Sequence, residues 1–552
     1  MSTLISTGLL PRVIEYHDRT KHHFNRHARS LGYLDWATQP DPFRRFEGAP
    51  LIPLRRSDLS DSPPYGAIFD SASIAPSQLN ENSISRFFFD ALALSAWKAF
   101  QGTQWSLRIN PSSGNLHPTE AYLVTGSIEG LHNKPAVYHY APKEHGLELR
   151  SEIEPEAWRR LMALAPEGSF LFGLTSIHWR EAWKYGERAF RYCQHDVGHA
   201  IGTLRISAAL LGWEARLIED VTDDEIARLL GVETQSGPEQ EFPECLGIVL
   251  PRGASPKRFS LDSDAIESIS AGGWLGRPNE LSPAHVPWEV IDEVTEATSK
   301  PRAQVNIGAH SRSKRPALHS LPEREDHDEP RARRLIHQRR SAVSMDGSTS
   351  ISKTTFYRML DRTIPRPATA PFDILPRSPK IDLFLFVHRI DSLSPGLYVL
   401  LRDSTRMAAF QTATHDRFRW EKPPDCPEWI SLYLLEEGDV RQMAGALACG
   451  QAIAADGAFS LGMIAEFEPT LAEYGPWFYR RLFWESGLVG QLLYLEAESA
   501  GVQSTGIGCF LDNPVHDVLG FENHQFQSLY HFTIGGAVVD ERLTTLPAYE
   551  DS

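Results

Sequence analysis

Cysteine is scarce in this chain of 552 residues, with five in all. Cys193, Cys245, Cys426, Cys449 and Cys509 are widely spaced, odd in number and never in a Cys-x-x-Cys pair. That excludes a disulfide framework and points to a reducing compartment, so the cytoplasm is expected. Cys449 and Cys509 read as small core residues rather than nucleophiles. Long apolar runs are missing too: none approaches the roughly 20 residues that cross a bilayer. Met1-Ser2-Thr3-Leu4-Ile5 carries neither the charged stretch nor the apolar stretch of a secretory signal. Positive charge is in deficit, with 55 Lys and Arg against 71 Asp and Glu and a net charge of −16. Such a surface repels phosphate backbones, so neither nucleic acid nor membrane is expected as a partner.

What is present is the composition of a globular protein, 41% hydrophobic and 23% charged, which excludes a disordered or collagen-like chain. At roughly 100–200 residues per domain the length calls for two to four domains. The chain also repeats itself. Laid against itself at an offset of 289, residues 185–231 match 474–520 without a gap, with 11 of 47 positions identical, against about 6% for unrelated sequences. Tyr185-Gly186 falls on Tyr474-Gly475, Arg191 on Arg480, Gly198 on Gly487, Gly212 on Gly501, Asp223 on Asp512 and Leu230-Gly231 on Leu519-Gly520; Asp196 meets Glu485. In each copy a long amphipathic helix is predicted (His199–Gly212 and Leu488–Gly501), ending on a glycine suited to a C-cap. Buried strands follow at Cys245–Leu250 and Tyr530–Ile534, with further strands at Ala121–Thr125 and Ile381–His388. Helices and strands without regular βαβ alternation suggest an α+β class. The polar, Pro-bearing stretch 296–331 reads as an exposed linker.

Three strings carry candidate chemistry. Asn110-Pro-Ser-Ser-Gly-Asn-Leu-His-Pro-Thr-Glu120 combines two prolines that pin the backbone, a glycine that allows close approach, and the small polar groups of Ser112, Ser113 and Asn115. Such a loop can lie against a flat polar heterocycle, or be a surface turn feeding a strand. Arg339-Arg340-Ser341 sets adjacent guanidiniums beside a hydroxyl and suits a phosphate, with Arg542 as a second cationic contact; a solvated basic turn reads the same way. Thr505-Gly506-Ile507-Gly508 leaves backbone amides exposed beside a strand, although it is not a Rossmann fingerprint. His195-Asp-Val-Gly-His199 places two imidazoles on one helix face, but it has Asp196 where a zincin has Glu. Both histidines fall on apolar positions of the other copy, Trp484 and Leu488, so core positions are expected and no metal. Glu485 and Gln491 lie at the start of the second copy's helix, near a flavin or on the helix surface.

Together these strings resemble the nitroreductase superfamily of FMN-dependent oxidoreductases, and Arg108–Glu120 is most similar to its SagB-type azoline dehydrogenase branch. The resemblance covers about 85–550. It implies an α+β chain of two tandem nitroreductase-like domains forming an intramolecular pseudo-dimer, with an N-terminal extension at 1–84, copy one at 85–295, a linker at 296–331 and copy two at 332–552. Single-domain members hold FMN across a homodimer interface. Here copy one carries the Pro-Ser loop but reads Arg-Leu-Ile-Glu at 216–219, where copy two has its glycine turn. One composite FMN site is therefore expected, beside a degenerate second one. By resemblance, Ser112, Ser113 and Asn115 face the isoalloxazine, Arg339, Arg340, Ser341 and Arg542 hold the phosphate, and Gly506 and Gly508 lie near the ring's redox edge. Lys184-Tyr185 resembles a Lys-Tyr pair credited with proton abstraction; a packing role is the competing reading, since Tyr185 repeats as Tyr474. The implied activity is ping-pong oxidoreduction with NAD(P)H as candidate donor and a small-molecule or peptide substrate. Azoline (thiazoline or oxazoline) dehydrogenation in peptide tailoring and flavin binding without turnover are the alternatives. Assembly beyond the fused pair into a homo-oligomer stays open.

Overall fold

The structure is a computed structural model that describes residues 2–70, 73–253, 259–302 and 329–549. Most of the predicted linker, 303–328, lies outside the described residues.

Two antiparallel sheets organise the chain. The first contains β1 Thr119–Thr125, β2 Ala136–Ala141, β3 Gly146–Glu152, β4 Phe170–Ser176, β5 Trp213–Leu217 and β6 Phe242–Pro251. They are ordered β3-β2-β1-β4-β6-β5, with Leu51–Pro53 added beside β3. The second contains β7 Ile381–Val387, β8 Gly396–Leu400, β9 Leu432–Glu437, β10 Phe459–Glu466, β11 Gln503–Ile507 and β12 Phe526–Gly535, ordered β9-β8-β7-β10-β12-β11. The two orders are the same when each strand is shifted by six. The run Ile-Asp-Leu-Phe-Leu-Phe-Val of β7 is buried at every position, as a strand covered on both faces requires.

Between the sheets lie two helices, α1 Ala189–Leu210 and α2 Phe478–Ser499. Each starts at the chain position ten residues before the predicted one (189 against 199, 478 against 488). Neither is amphipathic in the expected sense. Almost every residue of both is buried, because each helix packs against the other as well as its own sheet. They meet backbone to backbone at Gly198 and Gly487, whose Cα atoms would each stand 2.9 Å from a Cβ built on the other. Only glycine lets two helix backbones come that near.

The contact is reciprocal. Arg191 of the first half pairs with Asp512 of the second at 2.8 Å, and Arg480 of the second pairs with Asp223 of the first at 2.5 Å. Each partner is the other's equivalent at the 289 offset, which is the signature of a two-fold interface. The chain ends cross over as well. Thr544–Leu546 pairs with the first half's Leu94–Phe100, while His22 near the N-terminus donates its backbone N–H to Asp512.

The described start of the predicted linker departs from expectation. Thr298 and Lys300 are buried, and the Lys300 ammonium donates to the carbonyls of Glu219 and Val221. Burial lowers its pKa to about 7. These residues are tied down on the first half rather than solvated.

Candidate functional site

The Pro-Ser loop enters β1 through three left-handed residues, Gly114, Asn115 and His117, at φ of 60°, 61° and 52°. Glycine and asparagine tolerate that region best. The loop's polar groups largely hold one another. Ser112 Oγ accepts the His117 N–H at 2.8 Å, and Asn115 donates to the Ser106 carbonyl at 2.8 Å while its oxygen meets His117 Nε2 at 3.0 Å. Ser113 donates its N–H and its hydroxyl to Asp196 on α1, at 3.0 and 3.1 Å. Asn115 and Ser113 therefore brace the loop. The same device recurs in the second half, where Glu485, the counterpart of Asp196, accepts the Lys380 N–H at 2.8 Å.

Lys184 and Tyr185 lie against this loop: a Cβ on Gly114 would stand 2.5 Å from the Tyr185 hydroxyl and 3.1 Å from Lys184 Nζ. They end the helix His178–Tyr185, whose Glu181 is fully buried beside Ser112 and Asp196. Burial, and then the nearby Asp196, hold Glu181 well above the usual carboxyl range, and burial raises Asp196 to about 7. Burial thus favours the neutral form of both carboxyls under the loop.

The second half supplies the opposite wall. Arg339, 3% exposed, donates to the Arg108 carbonyl at 3.1 Å, two residues before Asn110, and its guanidinium lies 4.8 Å from the Tyr494 ring centre. Its Nε and Nη1 have no partner among the described residues. Ser341 Oγ lies 2.9 Å from the Tyr494 hydroxyl, which also accepts the Gly506 N–H at 3.0 Å. Ala342 donates to the Ser504 carbonyl at 3.0 Å, so the Arg339–Ser341 segment is laced to β11. Gly506 has no room for a side chain beside the Tyr530 hydroxyl, nor Gly508 beside the Tyr192 ring. Tyr192 donates to the Gly508 carbonyl at 3.1 Å and its ring lies 4.5 Å from that of Tyr185. His195 stacks on Tyr530 at 4.2 Å, and His199 meets the Tyr530 hydroxyl at 3.2 Å. Gln491 lies 3.3 Å from His199 Nδ1. Burial pushes the pKa of both imidazoles down, His199 to about 3.

Residues 112–115, 184–185, 339, 341, 506 and 508 are thus joined by one network across the two halves. Arg542 is not. It is exposed and ion-paired to Asp540 at 2.8 Å, because the chain past Gly536 leaves the seam to reach the strand Leu94–Phe100. Arg340 is spent on structure, donating to the carbonyls of His337, Arg339 and Ser95.

The nitroreductase family model matches residues 78–248. That stretch is a nitroreductase family domain. It holds the Pro-Ser loop, the helix with Glu181 and Lys184, and α1. A protein of Methanocaldococcus jannaschii named as a nitroreductase is 25% identical over 164 residues, covering 28% of this chain and 77% of its own. The crystal structure of a protein from Anabaena variabilis, also named as a nitroreductase, matches 96% of this chain and 99% of its own with a TM-score of 0.67 at 22% identity. The nitroreductase-like fold therefore extends over both halves.

Several site residues gave no signal in the sequence. Tyr192, Tyr494, Tyr530 and Glu181 belong to no motif that would single them out. Only Asp196 had a clue, its carboxylate counterpart Glu485 in the second copy.

The residues fit an anionic, flat cofactor. Among the described residues, two nitrogens of the buried Arg339 guanidinium and the buried hydroxyl of Ser504 lack partners. A buried donor left unsatisfied is costly, so the site is built for a group that accepts from it.

Proposed function

We propose that the chain is an FMN-dependent oxidoreductase made of two fused nitroreductase-like copies, at 85–295 and 332–552, with 1–84 as an extension and 296–331 as the connection. One composite flavin site lies between them. The observation that carries this is Arg339: a second-half guanidinium, buried, bonded to the root of the first half's Pro-Ser loop, with two nitrogens still to satisfy. FMN, when bound, supplies two-electron chemistry. The chain's part is to bind and orient. Arg339 and Ser341 hold the phosphate. The Ser112–Asn115 loop and the Gly506–Gly508 backbone flank the ring, with amide donors suited to negative charge at its edge. Glu181 and Asp196 hold protons beneath the loop, and Tyr192, Tyr494 and Tyr530 keep water out. The enzyme works in the cytoplasm on a small-molecule or peptide substrate, with NAD(P)H as the donor.

A second reading is direct oxidation of the substrate, as in azoline dehydrogenation. The placement of Lys184 and Tyr185 against Gly114 favours it, since a base and a phenol there border the loop at the ring. One experiment addresses both readings. Protein purified with bound flavin is mixed anaerobically with NADH or NADPH. Bleaching at 450 nm (on the order of the flavin's visible maximum) without substrate supports the reductase; flavin that resists both nucleotides supports the dehydrogenase. A chain that binds no FMN defeats the proposal.

A further inference from the structure

At the border of the flavin network, two half-exposed cysteines 60 residues apart in sequence bring their sulfurs to 2.7 Å. That is closer than the ~3.5–4.0 Å at which heavy atoms pack without bonding. We propose that Cys449 and Cys509 form a reversible dithiol–disulfide pair, a modification site for low-molecular-weight disulfides, with Cys509 attacking and Cys449 resolving. Cys193, Cys245 and Cys426 are buried, so this pair is what a small oxidant meets.

The surroundings divide the two roles. The His22 ring hydrogen-bonds the Cys509 thiol, and Arg188 adds positive charge. Hydrogen bonding from Cys449, then from His22, holds Cys509 well below the ordinary thiol range, while Cys449 is pushed up. A thiolate beside a thiol is the arrangement that starts exchange. The main chain at Cys509 is fixed, because the Gly508 carbonyl accepts from Tyr192 and Arg188 at 3.1 and 3.3 Å.

A metal centre is the competing occupant, since His22, His27 and Cys509 lie within 4.8 Å of one another. The His22 tautomer argues against it. Its Nδ1 accepts the Ala28 N–H at 2.9 Å, so the neutral ring carries its proton on Nε2. A metal-bound imidazole shows the reverse pattern, a lone pair toward the metal and the other nitrogen donating.

The chemistry balances as thiol–disulfide exchange. The Cys509 thiolate attacks one sulfur of RSSR, forming a mixed disulfide and releasing RS⁻, which takes a proton. Cys449, losing its proton, attacks the Cys509 sulfur and expels the second RS⁻. The pair is oxidised by two electrons and RSSR is reduced to two RSH. Closure ties the Gly506–Gly508 turn to the loop after the helix Arg441–Leu447.

The test uses the full chain, reduced and then incubated with glutathione disulfide, acid-quenched, unfolded and alkylated for intact mass and peptide mapping. The expected result is loss of two of the five thiols, a cross-linked peptide joining Cys449 and Cys509, and full recovery with dithiothreitol. Cys449→Ser is expected to stop at the mixed disulfide on Cys509, and His22→Asn to slow capture at mildly acidic pH about tenfold for each unit by which the thiol pKa rises. Five thiols surviving in the wild-type chain would overturn the proposal. So would a glutathione adduct that persists there without the cross-link. Zinc bound one per chain, protecting Cys509 and lost in both His22→Asn and His27→Asn, would overturn it in favour of a metal centre.

Discussion

At Asp196 two effects oppose each other: burial raises the carboxyl's pKa, and hydrogen bonds from Ser112 and Ser113 lower it. Burial wins, taking the group from 3.8 to about 7. Between those values the unfolded chain has released a proton that the folded chain still holds. The stability held below about pH 4 is therefore lost as pH rises toward 7, and the loss is complete above it. The difference, 7 − 3.8, is worth at most about 4 kcal/mol at roughly 1.36 kcal/mol per unit. Asp196→Asn keeps an oxygen for the Ser113 N–H but has nothing to titrate. Urea midpoints measured across that range should fall less steeply with pH in the variant than in the wild type, Glu181 supplying the slope that remains; equal slopes would place the titration elsewhere. Gly506 offers a second test. A methyl there meets the Tyr530 hydroxyl, and such overpacking costs about 1–3 kcal/mol. Gly506→Ala should weaken FMN binding about five- to hundredfold in a fluorescence titration while the circular dichroism spectrum is unchanged.

Helices α1 and α2 show what the sequence could and could not disclose. Gly198, Gly487, Arg191, Arg480, Asp223 and Asp512 all stood out as repeated positions. What repetition cannot tell is that Arg191 reaches the other copy's Asp512 rather than its own Asp223, because identity between copies carries no information about contact. The helix starts were misplaced for a related reason. The apolar period continues into residues buried on every side, where no polar face marks the end of a buried stretch. The Pro-Ser loop and Arg339 were legible because proline, glycine and paired arginines are unusual in a turn. The tyrosines and Glu181 were not, since the same residues fill ordinary cores and helices. Arg542 misled because a charge near a strand end is as easily captured locally, here by Asp540. Two consequences follow for the helix pair. Asp512→Asn strands Arg188 and Arg191, both within 2.9 Å of it, and should cost about 3–5 kcal/mol in denaturant unfolding. Gly198→Ala pushes a methyl into the Trp484 backbone and should cost about 1–3 kcal/mol. If both variants unfold with the wild type, the seam is not what holds the halves together.

A two-fold interface between like halves creates two seams, and here they differ. In one, Arg339 bonds the root of the Pro-Ser loop, Tyr494 accepts the Gly506 N–H, and the Tyr192 ring fills the space beside Gly508. At the 289 offset, Tyr494 becomes Arg205 and Gly508 becomes Glu219. Arg205 is locked on Asp373 by two hydrogen bonds of 2.8 Å, and Glu219 receives both Arg377 donors at 3.1 and 3.0 Å. Side chains from opposite halves thus neutralise each other where the first seam leaves buried donors unmet. Arg205 and Glu219 are buried while their partners are partly exposed; removing one partner leaves a buried charge uncompensated, so a ligand entering the second seam would have to replace both charges at once. The expected stoichiometry is one FMN per chain, read from flavin absorbance after denaturation against protein concentration. The asymmetry also predicts which variants matter: Arg339→Ala should empty the protein of flavin, while Arg377→Ala should leave the ratio at one. A ratio of two in the wild type would mean that the Arg205–Asp373 pair opens to admit a second nucleotide.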